Sequence, residues 1–152
     1  MLKKLIASSL LASSLIMTGC QTTPPPSDTI EMANIQQLQQ RTWILTQIGN
    51  TEIKTAPNER NIPSLQFSAD NRISGADGCN RIMGSYIVGR DTLTLSQLAT
   101  TRMACINNSA VPQQFQEALA KVTHYQVFGK TLKLLDRHGN LLLQFGSAIQ
   151  PR

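Results

Sequence analysis

The chain has 152 residues, 41% hydrophobic and 15% charged, with a formal net charge of +5. Without Lys3 and Lys4 near the N-terminus, 12 basic residues face 9 acidic ones, a balance of +3. Those basic residues are scattered singly with no aromatic-interleaved stripe, which argues against nucleic-acid binding.

Residues 1–19 read as a targeting segment. Lys3 and Lys4 supply a positive n-region, and residues 5–17 form an apolar h-region. That region is too short to span comfortably a hydrocarbon core of about 30 Å. Met17-Thr18-Gly19-Cys20 resembles the bacterial lipobox: an apolar residue, two small ones, then cysteine. The resemblance implies that the Cys20 thiol receives diacylglycerol. It also implies cleavage after Gly19 and a further acyl chain on the freed amine. Such chains anchor a protein with about 0.8 kcal/mol per buried methylene. An Asp after the lipid cysteine retains enteric lipoproteins in the inner membrane; Gln21 stands there instead. The anchor is therefore expected in the inner leaflet of the outer membrane, facing the periplasm. Residues 20–37 follow as a lipid-anchored flexible tether. Thr22, Thr23, Pro24, Pro25, Pro26 and Ser27 cannot build a core and predict extended or disordered chain. Residues 35–41, IQQLQQR, allow a short helix.

Residues 38–147 predict one domain, since roughly 110 residues suffice for a single core. Residues 42–48 alternate with Trp43 and Leu45 on one face, the pattern of a half-buried strand. Gly49-Asn50 is a turn, with a return strand expected over 52–55. Residues 64–68 and 72–74 form a hairpin around Asp70-Asn71, with Leu65, Phe67 and Ile73 as core candidates. Next comes a longer hairpin, strands 81–88 and 92–98 joined by Gly89-Arg90-Asp91. Ile82, Gly84, Tyr86 and Val88 share one face of it. Gly75, Gly78 and Gly84 are costly in strands unless the backbone must bend or approach a neighbour, so they imply a sharply curved sheet. Pro112 suits the first turn of a helix over 112–122, whose Phe115, Leu119 and Val122 fall on one face. Strands over 125–128, 131–135 and 141–145 close the chain. About eight strands with one packed helix predict a mainly β fold, a small antiparallel β-barrel-like sheet.

Three cysteines leave an odd one in a secreted chain. Assigning Cys20 to lipid leaves Cys79 and Cys105 at the outer ends of the longer hairpin. In an oxidising compartment this pair reads as a structural disulfide, stabilising the fold by roughly 3–4 kcal/mol. A zinc site built from Cys79, Cys105, His124 and His138 matches no common ligand spacing. A Cys–His nucleophile fails once the thiols are bonded. No metal, cofactor or catalytic constellation is expected. Asp70, Asp77, Asp91 and Asp136 sit in turn-like segments, and turn chemistry accounts for them. Asn80 reads as a turn cap, and Met103 as buried. Arg102 reads first as structural, satisfying backbone carbonyls or pairing with a carboxylate. The other reading makes it a holder of an anionic ligand.

The residues Ser74-Gly75, Gly78-Cys79-Asn80-Arg81, Gly84-Ser85-Tyr86 and Thr101-Arg102-Met103-Ala104-Cys105 together resemble the META domain, the family of HslJ-type heat-shock lipoproteins. Trp43 and the spacing of Leu132, Asp136, Gly139 and Leu142 agree. The resemblance covers roughly residues 38–145. It implies a compact barrel-like fold of lipocalin-like topology packed against one helix. It also implies a place in the secreted or envelope proteome and a link to heat shock and novobiocin tolerance. It implies no known reaction. Two functional readings follow. One is a non-enzymatic bacterial envelope lipoprotein acting in stress tolerance through an unknown envelope protein partner. The other is a small-ligand carrier using the barrel interior. A filled interior favours the first and an open one the second.

The lipobox resemblance has a direct consequence. Wild-type protein should incorporate labelled palmitate and fractionate with membranes, whereas Cys20→Ala should be released or left unprocessed. Absence of label in the wild type would rule out the anchor.

Overall fold

The computed structural model describes residues 26–55, 61–106 and 109–147, together with Gly19 and Pro24. The rest of the leader, the lipobox Cys20 and residues 56–60 lie outside the described residues. The elements run α1 (Ser27–Gln39), β1 (Thr42–Ile48), β2 (Thr51–Glu52), β3 (Ser64–Phe67), β4 (Arg72–Ala76), β5 (Arg81–Val88) and β6 (Leu93–Thr100). They continue with α2 (Val111–Leu119), β7 (His124–Phe128), β8 (Thr131–Leu135) and β9 (Leu141–Ser147).

All strand pairings are antiparallel, and the sheet follows the order β6-β5-β4-β3-β1-β9-β8-β7, with β2 attached to β1. Most neighbours are sequential hairpins. The exceptions are β1 against β3, with β2 between them in sequence, and β1 against β9, where Trp43 stands opposite Ser147 and knits the two ends of the domain together. The outer strands β6 and β7 are joined in sequence by α2. Their starting ends also meet in space through the bridge Thr92↔His124. The Leu93 N–H donates to Thr123 O and the Tyr125 N–H to Asp91 O, both at 2.9 Å. The sheet thus curls until its edges touch at one end, the lipocalin-like barrel architecture expected from the sequence.

Curvature brings backbones close. A Cβ on Gly75 would lie 2.0 Å from the carbonyl oxygen of Ser64 on the paired strand. Only glycine allows β3 and β4 to approach so closely. In β6 the ladder shifts register opposite Gly84, and Gln97 takes a left-handed φ of 53°. This bulge breaks the alternation Leu93, Leu95, Gln97 and leaves the far half of β6 exposed.

The interior is filled. Trp43, Leu65, Phe67, Tyr86, Leu132 and Phe145 belong to one buried cluster, and α2 closes it with Phe115, Ala118 and Leu119. Phe115 meets Phe145 edge-on at 6.0 Å between ring centroids. Each fully buried large apolar side chain contributes about 1.5–3 kcal/mol. Val122 is buried just beyond the helix end, on the face that its spacing predicted.

The structure corrects the reading of tether over residues 27–37, which are helical. Helix α1 begins at Ser27, directly after Pro26. Thirteen residues without Gly or Pro can propagate a helix, although only Leu38 among them is buried. Its C-terminal end is held by tertiary bonds: Trp43 Nε1 donates to Leu38 O at 2.9 Å, and Gln39 Nε2 donates to the Tyr86 hydroxyl at 2.8 Å. The fold therefore has two helices rather than one. The return strand expected over 52–55 is only Thr51–Glu52, because the Ile53 N–H bonds Thr46 O and the chain then leaves the sheet.

The chain's two tyrosines are both buried. Tyr86 donates to Ser68 O and Tyr125 to Gly89 O. Burial raises the Tyr86 pKa and pushes that of Tyr125 up to about 12, where Glu31, Asp91 and Tyr86 add like-charge repulsion. An unfolded tyrosine ionises near pH 10, so the folded chain resists a deprotonation that the unfolded chain accepts. This stability is fully present below about pH 10 and is lost as the pH rises towards 12. Tyrosinate absorbance should therefore appear above pH 10, together with loss of circular dichroism. Ordinary titration near pH 10 in a still-folded protein would contradict the buried placement.

Candidate functional site

The turn between β4 and β5 carries the densest polar chemistry in the structure. Its first residue, Asp77, is the single buried charged side chain among the described residues, at 0% exposure. One carboxylate oxygen accepts the N–H groups of Cys79 at 2.9 Å and Asn80 at 2.6 Å. The other accepts Gln116 Nε2 from α2. The Asp77 N–H returns to Asn80 O. Gly78 sits between at φ +103°, a backbone state that strains any L side chain, and its missing Cβ leaves room for Pro63. The Asx-turn chemistry expected of Asp77 is present, with a reach to α2 added to it.

This turn sets Cys79 against Cys105, and the two form a disulfide with Cα atoms 5.7 Å apart. The 101–105 segment is moored at further points. Asn80 Oδ1 accepts the Met103 N–H at 2.8 Å. Arg81 and Thr101 exchange bonds through Arg81 N–H to Thr101 Oγ1 and Thr101 N–H to Arg81 O. Two expectations change here. Asn80 is not the turn cap: Asp77 caps the turn, and the Asn80 side chain bridges to the second segment. Met103 is 59% exposed rather than buried, because the segment lies over the sheet's end with its side chain outward.

Arg102 is exposed, and among the described residues it makes no side-chain hydrogen bond or ion pair. The structural role favoured from sequence is not what this geometry provides. Gly75, Gly84 and Tyr86 serve the sheet and core, as described above. Asp70 and Asp136 follow turn chemistry, whereas Asp91 contributes its backbone carbonyl to the Tyr125 N–H. Asp70 accepts the Arg72 N–H and pairs with its guanidinium at 3.5 Å on the surface. Asn140, through side-chain and backbone bonds, and the His138 N–H hold the Asp136 carboxyl below the usual range. His124 Nδ1 lies 2.9 Å from Thr123 Oγ1, and Arg137 Nε donates to His138 Nε2. Among the described residues no three His, Cys, Asp or Glu side chains converge as a metal site would require.

Beside the disulfide lies a cleft of about 660 Å³. Ile53, Pro63, Val111 and Pro112 line it with Met103 and Ile106. None of the buried core cluster lines it. Lys54 is the one charged lining residue among those described.

The fold and site define a small, disulfide-stapled, barrel-like domain whose open end is closed by a helix. The chain matches the META domain over residues 36–149 and belongs to that family. An NMR structure, 23% identical with a TM-score of 0.59, covers 73% of this chain and 92% of its own. Another NMR structure, of a protein from Burkholderia xenovorans, is also 23% identical with a TM-score of 0.59, covering 98% of this chain and 100% of that one. A crystal structure of a DUF4847 family protein from Bacteroides vulgatus is 20% identical, with a TM-score of 0.54, covering 75% of this chain and 96% of that one. At these identities the likeness is one of fold. No curated protein matches the chain.

The disulfide closes a sequence separation of 26 residues. Replacing both cysteines with Ala should lower stability by roughly 2–5 kcal/mol in denaturant titration. Alkylation mass spectrometry of unreduced native protein should find neither Cys79 nor Cys105 labelled, and two free thiols would refute the pairing.

Proposed function

We propose that this META domain protein is a non-enzymatic lipoprotein of the bacterial cell envelope. It is anchored through Cys20 in the inner leaflet of the outer membrane, faces the periplasm, and acts in heat or antibiotic stress tolerance by contact with an envelope protein. The observation that carries the reading is the oxidised Cys79–Cys105 pair. Such a staple belongs in an oxidising compartment. It also occupies both thiols that a nucleophile or soft-metal site would need. The filled interior favours protein contact over carriage of a ligand inside the barrel. The resemblance of the chain's motifs to those of heat-shock lipoproteins supports the stress context.

Within this reading Arg102 is a surface contact residue, since it is exposed within the stapled segment. The test is survival of a deletion strain under heat and novobiocin, complemented in turn by wild type, Cys20→Ala and Arg102→Ala. Wild type should restore tolerance and Cys20→Ala should not. Arg102→Ala should keep the melting temperature near wild type, as exposed substitutions usually stay within about 0.5 kcal/mol, yet restore tolerance poorly. A deletion strain as tolerant as its parent would overturn the proposal.

A further inference from the structure

The cleft beside the disulfide has the properties of a small-molecule site. Its volume of about 660 Å³ falls in the range of roughly 300–1,000 Å³ typical of ligand pockets. Its lining is mainly apolar, from Ile53, Pro63, Val111 and Pro112 together with the disulfide. Two further apolar side chains stand at it unburied, Met103 at 59% exposure and Ile106 at 99%. A soluble domain rarely leaves apolar groups gathered at a concavity without use for them. Among the described lining residues Lys54 alone is charged, and no carboxylate joins it. Asp77 lies beneath, but its oxygens are taken by Cys79, Asn80 and Gln116. The two long walls are also anchored to the fold. Pro112 belongs to α2, which Gln116 ties to the turn, and the Met103 segment is held by the disulfide and Asn80. These two walls are thus held in place by the fold itself.

We infer that this cleft binds an anionic amphiphile, a molecule with an apolar body and one carboxylate-like head, the body lying along the disulfide and the head paired with Lys54. Charge complementarity selects the head, and the apolar lining selects the body. This site lies outside the barrel and does not depend on the stress reading above.

The test uses residues 27–152, which hold every described element, and the similar NMR structure covering 73% of this chain has the same fold at about that length. Decanoate, kept below its micellar concentration, is titrated while backbone and methyl NMR signals are followed. Saturable shifts confined to Ile53, Met103, Ala104 and Ile106 are expected. Lys54→Glu should weaken binding about tenfold through loss of the charge-assisted contact. Ile106→Asp should weaken it as well, and both variants alter exposed residues, so an unchanged amide spectrum elsewhere confirms that they fold. Shifts that scatter over the other exposed apolar residues, such as Ile87 and Phe128, would overturn the inference. Equal binding of decanol and decanoate would refute the anionic head. Saturation by an extended apolar peptide but not by decanoate would make the cleft a protein-docking groove and overturn the inference too.

Discussion

The buried Asp77 carboxylate is the constraint on which the rest of the site depends. A carboxylate removed from water without partners is destabilising by several kcal/mol. Here two backbone N–H groups and the Gln116 amide satisfy it. The same three bonds do structural work in two directions. Towards the turn, they hold Cys79 where it meets Cys105 and aim Asn80 at the Met103 N–H. Towards α2, they fix the helix that brings Phe115 and Leu119 into the core. A shift of this one side chain would loosen the staple, the helix and the cleft together.

The second organising feature is how the sheet closes. The β1–β9 pairing joins the ends of the domain, while α2 spans from one outer strand to the other. The starting ends of β6 and β7 then meet at Thr92 and His124. Closure of this kind leaves little sheet edge to be managed, and the bulge at Gln97 distorts the part of β6 that stays open. It also packs the interior with aromatic and Leu side chains. At the rim, the segment that carries Met103 is moored by the disulfide and Asn80 rather than by core packing.

Much of this architecture was legible from alternation. Strands over 42–48, 81–88 and 131–135 stand where the pattern predicts, and Phe67, Ile73, Phe115 and Leu119 are buried as their spacing implies. The cysteine pairing followed from an odd count and the lipobox. What alternation could not show was anything that depends on a distant neighbour. Helix α1 has one buried residue, so no apolar stripe marks it, and of its two anchors Trp43 is near in sequence while Tyr86 lies far along the chain. Asp77 followed by Gly78 looks like any Asx turn, and only the fold reveals Gln116 above it. Met103 sits in an apolar-looking motif, yet its segment crosses the sheet's end in the open. Asn80 gave no sign that its partner lies 23 residues away.

The coupling between Asp77 and Gln116 tests this account most directly. Asp77→Asn, Gln116→Ala and the double variant should be compared by denaturant unfolding in a mutant cycle. Residues bonded in one buried network couple by about 0.5–3 kcal/mol, and the account predicts a value above about 1 kcal/mol. Strict additivity of the two single losses would contradict it, because the turn and the helix would then be stabilised independently.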